Sequence, residues 1–464
     1  MPAYRDDWEE RLLADPELLL RMSEAIDGPF HILYPARVAE NIEGFRSVFT
    51  RKGVDGVIYY GKKANKSASV VQACASTGVG VDVSSVGEFD ATLHEGIRGE
   101  HIVVTGPAKS EALLTLAARH RALIAIDELA ELSRLTAIGI PARVLLRVLP
   151  TGSNSRFGMT REELNEALDR IDAELIRLEG FSFHLSGYRI EPRAELAADL
   201  IGWCGRARAL GLPANTISIG GGFGVDYVPA EAWKTFLGGV NPRWFHGDQA
   251  PTTDYYPYHF PHAGPAMLAA VLEHQGLADS LRTNNIRLVI EPGRALLDQA
   301  GCTVFQVQGA KTRQAHGLPY RLLTVNGTSF SLSEQWFDSE FLPDPALWPN
   351  LPGDLTPTCV GSSSCLDDDM LSRRRIPLPR AALLGDLLVY PNTAGYQMDS
   401  NESSFHQLPL PPKVIAVRSD DGRYRFAIDG RYFEWSLDSP SPPNTRMTYQ
   451  RISAIVKRLG ISRY

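Results

Sequence analysis

Residues 57–83 read VIYYGKKANKSASVVQACASTGVGVDV. A short β-rich run over residues 57–60 is followed by a turn with glycine and polar residues and then by a helical pattern over residues 67–77. The next β-rich run begins directly afterwards, at Val79. Strands that alternate with helices in this way are typical of βαβ units, which build parallel sheets. The stretch therefore predicts an α/β fold.

The same unit recurs from about residue 55 to residue 295. The β-rich runs cover residues 57–60, 79–83, 101–105, 122–127, 143–148, 180–185, 216–219 and 287–290. Helical patterns lie between them, for example over residues 160–178, where Thr160 and Glu163 form the sequence signature of a capping box. Eight such units predict a (β/α)8 TIM barrel.

Beyond Ala295 the sequence changes to alternating strands with tight turns. Asp421-Gly422 and Asp429-Gly430 stand between alternating runs, which is a strong hairpin signal. We expect a C-terminal β-domain, either a β-sandwich or a Greek-key barrel, over residues 296–464. The barrel is expected over residues 36–295, and the N-terminal segment 1–35 is expected to pack with the β-domain.

Composition narrows the class of partner. The 464 residues carry 47 basic and 54 acidic side chains, a formal charge of -7, so the basic footprint that nucleic acid requires is absent. No run approaches the roughly 18 apolar residues of a membrane span, and the N-terminus does not resemble a signal peptide. The 5 cysteines are scattered without a CxxC spacing, which argues against a disulfide framework and a zinc site. We expect a cytoplasmic protein with small-molecule partners and no bound metal.

Polar residues or glycines follow nearly every predicted barrel strand. Active sites of such barrels are assembled at the carboxyl ends of the strands. The residues at these strand ends are Lys63, Asp82, Thr105, Asp127, Arg147, His184, Gly220, Gly221, Gly222, Glu291 and Arg294. The sequence therefore predicts that the site lies on this rim.

Three of these segments indicate a particular chemistry. A desolvated lysine such as Lys63 becomes a nucleophilic amine that forms a Schiff base with an aldehyde, although most lysines are ordinary surface charges. The run Ser218-Ile-Gly-Gly-Gly-Phe-Gly224 lets backbone N–H groups approach a phosphate, although a plain tight turn has the same composition. Glu291 and Arg294 follow the eighth strand, and barrels often bind phosphate with the loops after strands seven and eight. Together the two loops predict a phosphate pocket with a carboxylate at its edge.

Ordered motifs carry a resemblance to a known family. They are YGKKAN (60–65), DVSSVGE (82–88), SRFG (155–158), GFSFH (180–184), GGG (220–222), EPGR (291–294), GSSSCLDDD (361–369), GD (385–386) and AGY (394–396). From about residue 29 to residue 411 the chain resembles the fold-type III pyridoxal-phosphate-dependent decarboxylases. This family contains ornithine, arginine and diaminopimelate decarboxylases and shares its barrel with alanine racemase.

The resemblance implies a cofactor and its ligands. Pyridoxal 5'-phosphate is held on Lys63 as a Schiff base, His184 stacks on its ring, and Glu291 keeps the pyridine nitrogen protonated so that the ring accepts the electrons of a departing carboxylate. The other residues that the resemblance assigns to cofactor binding are Asp82, Gly221, Gly222, Gly293, Arg294 and Tyr396.

The resemblance also implies a homodimer with shared active sites. Cys365, delivered from the partner subunit, protonates the quinonoid at the α-carbon, although a free cysteine is more often a buried apolar residue. A racemase or epimerase on the same cofactor, and a non-catalytic cofactor-binding regulator of the same fold, remain alternatives.

The substrate is an amino acid whose identity and chirality stay open. Family members that act on diamino acids carry an acidic residue directly after the cysteine, and Leu366 stands there. Acidic residues follow further along the same segment, and Asp369 is the one that remains a candidate for contact with the substrate. The aromatic stretch over residues 228–265 either shapes a pocket for a bulkier amino acid or forms a surface excursion or dimer contact.

Overall fold

The computed structural model describes residues 1–15, 17–250, 255–332, 341–418 and 424–430, and the backbone of Glu434–Trp435. The strands are β1 Phe30–Leu33, β2 Gly56–Gly61, β3 Gly80–Val83, β4 Ile102–Val104, β5 Leu123–Ile126, β6 Ala142–Arg147, β7 Ile176–Ser182, β8 Thr216–Ser218, β9 Arg287–Ile290, β10 Gly301–Ala315, β11 Leu318–Val325, β12 Ala346–Trp348, β13 Thr356–Gly361, β14 Met370–Leu378, β15 Leu387–Tyr390, β16 Lys413–Arg418, β17 Tyr424–Ile428 and β18 Glu434–Trp435. The α-helices are α1 Asp7–Ala14, α2 Leu18–Ile26, α3 Pro35–Lys52, α4 Ala68–Thr77, α5 Val86–His94, α6 Glu111–Arg119, α7 Leu129–Ile138, α8 Arg161–Arg170, α9 Glu191–Ala209, α10 Ala230–Leu237, α11 Gly264–Glu273 and α12 Leu277–Thr283. Short 3-10 helices cover Lys62–Ala64, Gly99–His101, Pro242–Trp244, His246–Asp248, His274–Gly276, Arg294–Leu296, Ser329–Ser331 and Phe405–Gln407.

The chain forms two compact units. The barrel unit comprises Ala36–Val225 and Phe260–Asp298, and the sheet unit comprises Met1–Pro35, Asp226–His259 and Gln299–Tyr464 as far as these are described. The predicted barrel range 36–295 includes the segment Asp226–His259, whereas the contacts of this segment assign it to the sheet unit.

The barrel unit is a closed parallel barrel of β2 to β9, in which β2 pairs with β9 through Gly56 and Leu288. Every one of the eight predicted runs contributes one strand, so the predicted TIM barrel is confirmed. The capping box that begins α8 is present: the Thr160 hydroxyl accepts from the Glu163 N–H, and the Glu163 carboxylate accepts from the Thr160 N–H at 2.8 Å. Local signals therefore fix both the strands and this helix start.

The predicted helix over residues 160–178 was too long. The helix α8 ends at Arg170, and β7 begins at Ile176, earlier than the predicted start at Gly180. A turn separates them, in which the Asp172 carbonyl accepts from the Ile176 N–H at 2.7 Å. From Ile176 onward, buried residues alternate with more exposed ones, and β7 pairs with β6 from this residue. Pairing along the barrel thus overrides the helical spacing of the apolar residues.

The sheet unit contains a ten-stranded sheet whose main path runs β14-β13-β11-β10-β1-β16-β17-β18. The N-terminal strand β1 lies between β10, to which it is antiparallel, and β16, to which it is parallel. Strands β16 and β17 form the predicted antiparallel pair, whereas the turn at Asp421-Gly422 lies outside the described residues. A buried cluster that includes Trp8, Phe30 and Cys302 forms its core.

The segment Asp226–His259 packs by aromatic and charged contacts within the sheet unit. Phe245 is fully buried and bridges to Arg374 of β14. Arg375 of the same strand donates to the Arg243 carbonyl and pairs with Asp248 at 3.1 Å. These contacts make the segment a packed element of the sheet unit. In the described part of the chain, no helix combines the length and apolar character needed to cross a membrane.

Candidate active site

The glycine run after β8 packs so closely that side chains are excluded. A Cβ on Gly220, whose φ is +66°, would lie 2.6 Å from Nδ1 of His184, and a Cβ on Gly221 would lie 2.7 Å from the Glu291 carbonyl oxygen. His184 follows β7 and Glu291 follows β9, so the run is held between the ends of its two neighbouring strands. Only glycine permits this approach of three strand ends.

Backbone donors are available at this end of the barrel. Within the described residues, the N–H groups of Gly222 and Gly293 donate to no acceptor. Gly222 has a φ of +80°, and Arg294 follows Gly293 as the buried first residue of a 3-10 helix. Free backbone N–H groups at strand ends, together with a guanidinium, favour the binding of an anion. This geometry fits the predicted phosphate site.

Two carboxyl groups of the site, the buried Asp82 and the half-buried Glu291, are hydrogen-bonded to hydroxyls. The Ser218 hydroxyl donates to Oε1 of Glu291 at 2.6 Å, and the Thr105 hydroxyl donates to Oδ1 of Asp82 at 2.6 Å. Burial, followed by the negative charge of Glu291, raises the pKa of Asp82 to about 7. Burial also raises the pKa of Glu291 above its ordinary value. These groups therefore hold protons more readily than ordinary carboxylates.

Lys63 lies beside these groups, on the short helix that follows β2. Its positive charge partly offsets the rise that burial causes in the pKa of Asp82 and of Glu291. The same charge adds to the fall that burial causes in the pKa of His184. The adjacent Lys62 is instead buried, and its ammonium donates to the Lys66 carbonyl at 3.4 Å. Lys63 itself is exposed, so the desolvation predicted for this lysine is not observed. Its role as the cofactor lysine stays a prediction, which rests on the motif and on its position beside these groups.

His184 presents a neutral imidazole. Burial, with the positive charges of Lys63 and Arg147, lowers the pKa of His184 to about 3. The Gly221 N–H donates to its Nδ1 at 3.3 Å, which assigns the ring proton to Nε2. The ring is therefore uncharged and fixed in orientation, as a stacking residue requires.

A cavity of about 380 Å³ opens beside His184. Its lining residues are Arg147, Ser153, Asn154, Ser155, Phe157, His184 and Ser186. Arg147 pairs with Asp127 at 3.4 Å and lies over the Phe157 ring at 4.3 Å, which fixes one wall. The sequence indicated Arg147 and, through the SRFG motif, Ser155 and Phe157, but Ser153 and Asn154 were missed because they lie in a loop without a periodic pattern.

The other predicted site residues lie in the sheet unit. Cys365 is exposed, and its N–H donates to Nε2 of His406 at 3.3 Å. Tyr396 has a φ of +72°, an uncommon conformation for a bulky residue that occurs mainly at functional sites. Asp369 is only 2% exposed, and its Oδ1 accepts from the Ser329 N–H at 2.9 Å. Asp369 therefore has a local role in holding its loop, and its predicted contact with substrate stays a prediction.

The chain was compared with known proteins. The family model for the pyridoxal-dependent decarboxylase, pyridoxal binding domain, matches residues 36–250. The chain is 37% identical over 447 residues, 92% of its length and 96% of the relative's, to the uncharacterized protein y4yA of Sinorhizobium fredii (strain NBRC 101917 / NGR234). It is 24% identical over 429 residues, 86% of its length and 90% of the relative's, to diaminopimelate decarboxylase of Bacillus methanolicus.

Among solved structures, the lysine/ornithine decarboxylase of Vibrio vulnificus complexed with putrescine matches with a TM-score of 0.68 at 19% identity, covering 89% of this chain and 99% of that one. This likeness confirms the fold. The matched family model and the ordered motifs agree with the glycine cradle, the two carboxyls and the lysine described above, and they identify pyridoxal phosphate as the cofactor. The chain belongs to the fold-type III pyridoxal-phosphate-dependent decarboxylases.

Proposed function

We propose that the protein removes the α-carboxyl group of an amino acid with pyridoxal phosphate bound at the carboxyl end of the barrel. The observation that carries this proposal is the half-buried Glu291 carboxyl, held by the Ser218 hydroxyl between the glycine run and the eighth barrel strand. Bound pyridoxal phosphate supplies an electron sink for the electron pair that departing carbon dioxide leaves behind.

Glu291 holds the proton that makes this sink effective. Because burial raises its pKa, its carboxylate is a stronger base than an exposed one and retains a proton shared with the pyridine nitrogen. The Ser218 hydroxyl donates to Oε1, so Oε2 would be the oxygen available to the ring nitrogen of the bound cofactor. A carboxyl partner at this nitrogen favours decarboxylation over racemisation, because the family's racemases place an arginine there.

Lys63 supplies the amine that attaches the cofactor covalently. Its position beside Asp82 and Glu291 supports this role, because its positive charge stabilises the ionised form of both carboxyls. His184 covers one face of the ring with a neutral imidazole. Gly221, Gly222, Gly293, Arg294 and Tyr396 hold the phosphate.

Cys365 of the partner subunit returns a proton to the α-carbon. The other cysteines, Cys74, Cys204, Cys302 and Cys359, are all buried, and burial raises the pKa of both Cys74 and Cys204 to about 12. Cys365 alone among the 5 is exposed and so accessible to a substrate. This role requires a homodimer with shared active sites, which forms part of the proposal.

We infer that the substrate is not a simple diamino acid. Leu366 is exposed directly after Cys365, where diamino-acid enzymes of the family carry an acid, and Asp369 is engaged with the Ser329 backbone. We therefore expect ornithine and lysine to be poor substrates, and efficient turnover of either would contradict this part of the proposal.

The function is tested by incubating the holoenzyme with a panel of L- and D-amino acids in deuterium oxide. We expect carbon dioxide and a singly deuterated amine from at least one member, detected by mass spectrometry, with Cys365→Ala slowing or diverting protonation at the α-carbon. An inverted, deuterated amino acid without amine would establish the racemase alternative instead. Absence of both products from a protein that binds the cofactor would favour the regulator.

A further inference from the structure

Arg193 is a completely buried charge that the proposed function does not use. It lies near the start of α9 and is 0% exposed, on the stripe of the helix that faces the barrel. The other members of this stripe are Ala197, Leu200, Cys204 and Ala207. An arginine at the beginning of an apolar stripe is the sequence signal that was missed, because long polar side chains at helix starts are usually exposed.

The guanidinium has carbonyl acceptors but no counter-charge. Its Nη1 donates to the Arg189 carbonyl at 3.0 Å, and its Nη2 donates to the Gly221 carbonyl at 3.1 Å. Within the described residues, Nε of Arg193 has no hydrogen-bond partner, and no carboxylate lies within ion-pair distance of the group. Burial lowers the pKa of Arg193 to about 10, so the side chain remains charged at neutral pH. Buried charges are ordinarily paired, and an unpaired one indicates an anion that comes from outside the chain.

The position of the guanidinium identifies that anion. A Cβ on Gly222 would lie 2.5 Å from Nη2 of Arg193, so the charge lies directly against the glycine run. The peptide between Gly221 and Gly222 is planar and trans, so its N–H points opposite to its carbonyl. Because Arg193 binds the carbonyl of Gly221, the Gly222 N–H is directed away from the helix. That N–H is one of the donors without an acceptor in the described residues.

We propose that Arg193 is a positioning residue and the counter-charge for the cofactor's phosphate, acting through the Gly221–Gly222 peptide. It fixes the direction of the Gly222 N–H, polarises that donor, and adds a full positive charge behind the glycine run. The inference rests on the proposed function in taking the cofactor's phosphate as the ligand. The ligand class that these backbone N–H groups and this charge fit is a dianionic phosphate monoester.

The test compares pyridoxal phosphate with pyridoxal, which lacks the phosphate, on the full chain after removal of cofactor. Affinities are measured by equilibrium absorbance titration for wild type, Arg193→Gln and Arg193→Lys. We expect Arg193→Gln to lose about tenfold to hundredfold in affinity for pyridoxal phosphate with pyridoxal unchanged, because the charge contributes only through the phosphate. Arg193→Lys, which keeps the charge, should retain most of the preference.

The matched control is Arg143→Gln. Arg143 lies in the same barrel but pairs with Glu179 at 2.7 Å, so its loss should leave the preference for pyridoxal phosphate unchanged. Equal losses for both ligands in Arg193→Gln would show a merely structural role and overturn the inference, as would an unchanged preference. Failure of the wild-type chain to bind either ligand would instead overturn the proposed function, and the inference with it.

A measurement on wild type covers the case in which Arg193→Gln does not fold. The phosphorus resonance of bound pyridoxal phosphate is followed against pH. We expect it to stay that of the dianion down to well below the ordinary second phosphate pKa of about 6, because the buried cation favours the charged form. Titration near the ordinary value would contradict the inference.

Discussion

The two ends of the barrel differ in how their charged side chains are paired. At the amino end, Arg143 makes a two-pronged pair with Glu179 at 2.7 and 3.1 Å and also donates to two carbonyls. At the carboxyl end, the buried Asp82 and the half-buried Glu291 carboxyls have raised pKa values, and Arg193 has no carboxylate partner among the described residues. The charged groups at the amino end are paired with each other, whereas Arg193 at the carboxyl end lacks a counter-charge that a ligand supplies. Stability and function are thus separated along the barrel axis.

The largest expected effect comes from the carboxyl at the ring nitrogen. Glu291→Gln should lower kcat by about 100-fold or more, because the amide cannot hold the shared proton, a loss of about 3 kcal/mol in transition-state stabilisation. Steady-state kinetics on a substrate found in the amino-acid panel measure this effect. The amino-end variant Arg143→Gln should keep kcat within about threefold. Equal losses in the two variants would remove the distinction between the ends.

A smaller effect is expected from crowding the glycine run. Gly221→Ala places a methyl group 2.7 Å from the Glu291 carbonyl oxygen, so the loop must move and affinity for pyridoxal phosphate should fall by about tenfold. Titration of the cofactor-free protein measures this change. Gly205→Ala is the control, because its Cβ in α9 meets nothing within 4 Å. It should leave affinity unchanged and stabilise the helix by up to about 1 kcal/mol.

At the amino end the expected effect is on stability alone. Arg143→Gln should lower the free energy of unfolding by about 2 kcal/mol, because Glu179 then loses both hydrogen bonds and its counter-charge. Denaturant titration of the cofactor-free protein measures the change. A variant as stable as wild type would show that the pair contributes nothing and that the amino end is not specialised for stability.

The last expected effect is gradual, a pH dependence of stability that comes from Asp82. Burial raises the folded-state pKa of Asp82 from its ordinary value of 3.8 to about 7, so its contribution to stability is fully present below pH 3.8 and is lost as pH rises to about 7. Wild type should therefore lose about 1 kcal/mol per pH unit relative to Asp82→Asn across this window, and nothing further above it. Unfolding free energies of the two cofactor-free proteins at several pH values give this difference. A constant difference would mean that Asp82 is ionised like an exposed carboxyl.

Much of the fold follows from local sequence patterns. Each barrel strand is a short β-rich run with its own turn, and the rim residues Lys63, Asp82 and Glu291 follow from those runs directly. The features that sequence did not predict depend on distant contacts. The early start of β7 requires pairing with β6, and the packing of Phe245 requires β14, which lies more than 100 residues further along the chain. The burial of Arg193 depends on the path of the glycine run, which no local pattern specifies.

The central claim is that Lys63 carries the cofactor at the carboxyl end of the barrel. Borohydride reduction of the holoenzyme, followed by proteolysis and mass spectrometry, tests it directly. We expect a pyridoxyl group on Lys63, and we expect Lys63→Ala to trap none while Lys62→Ala still traps it. A pyridoxyl group on another lysine, or as much trapped cofactor in Lys63→Ala as in wild type, would contradict this assignment.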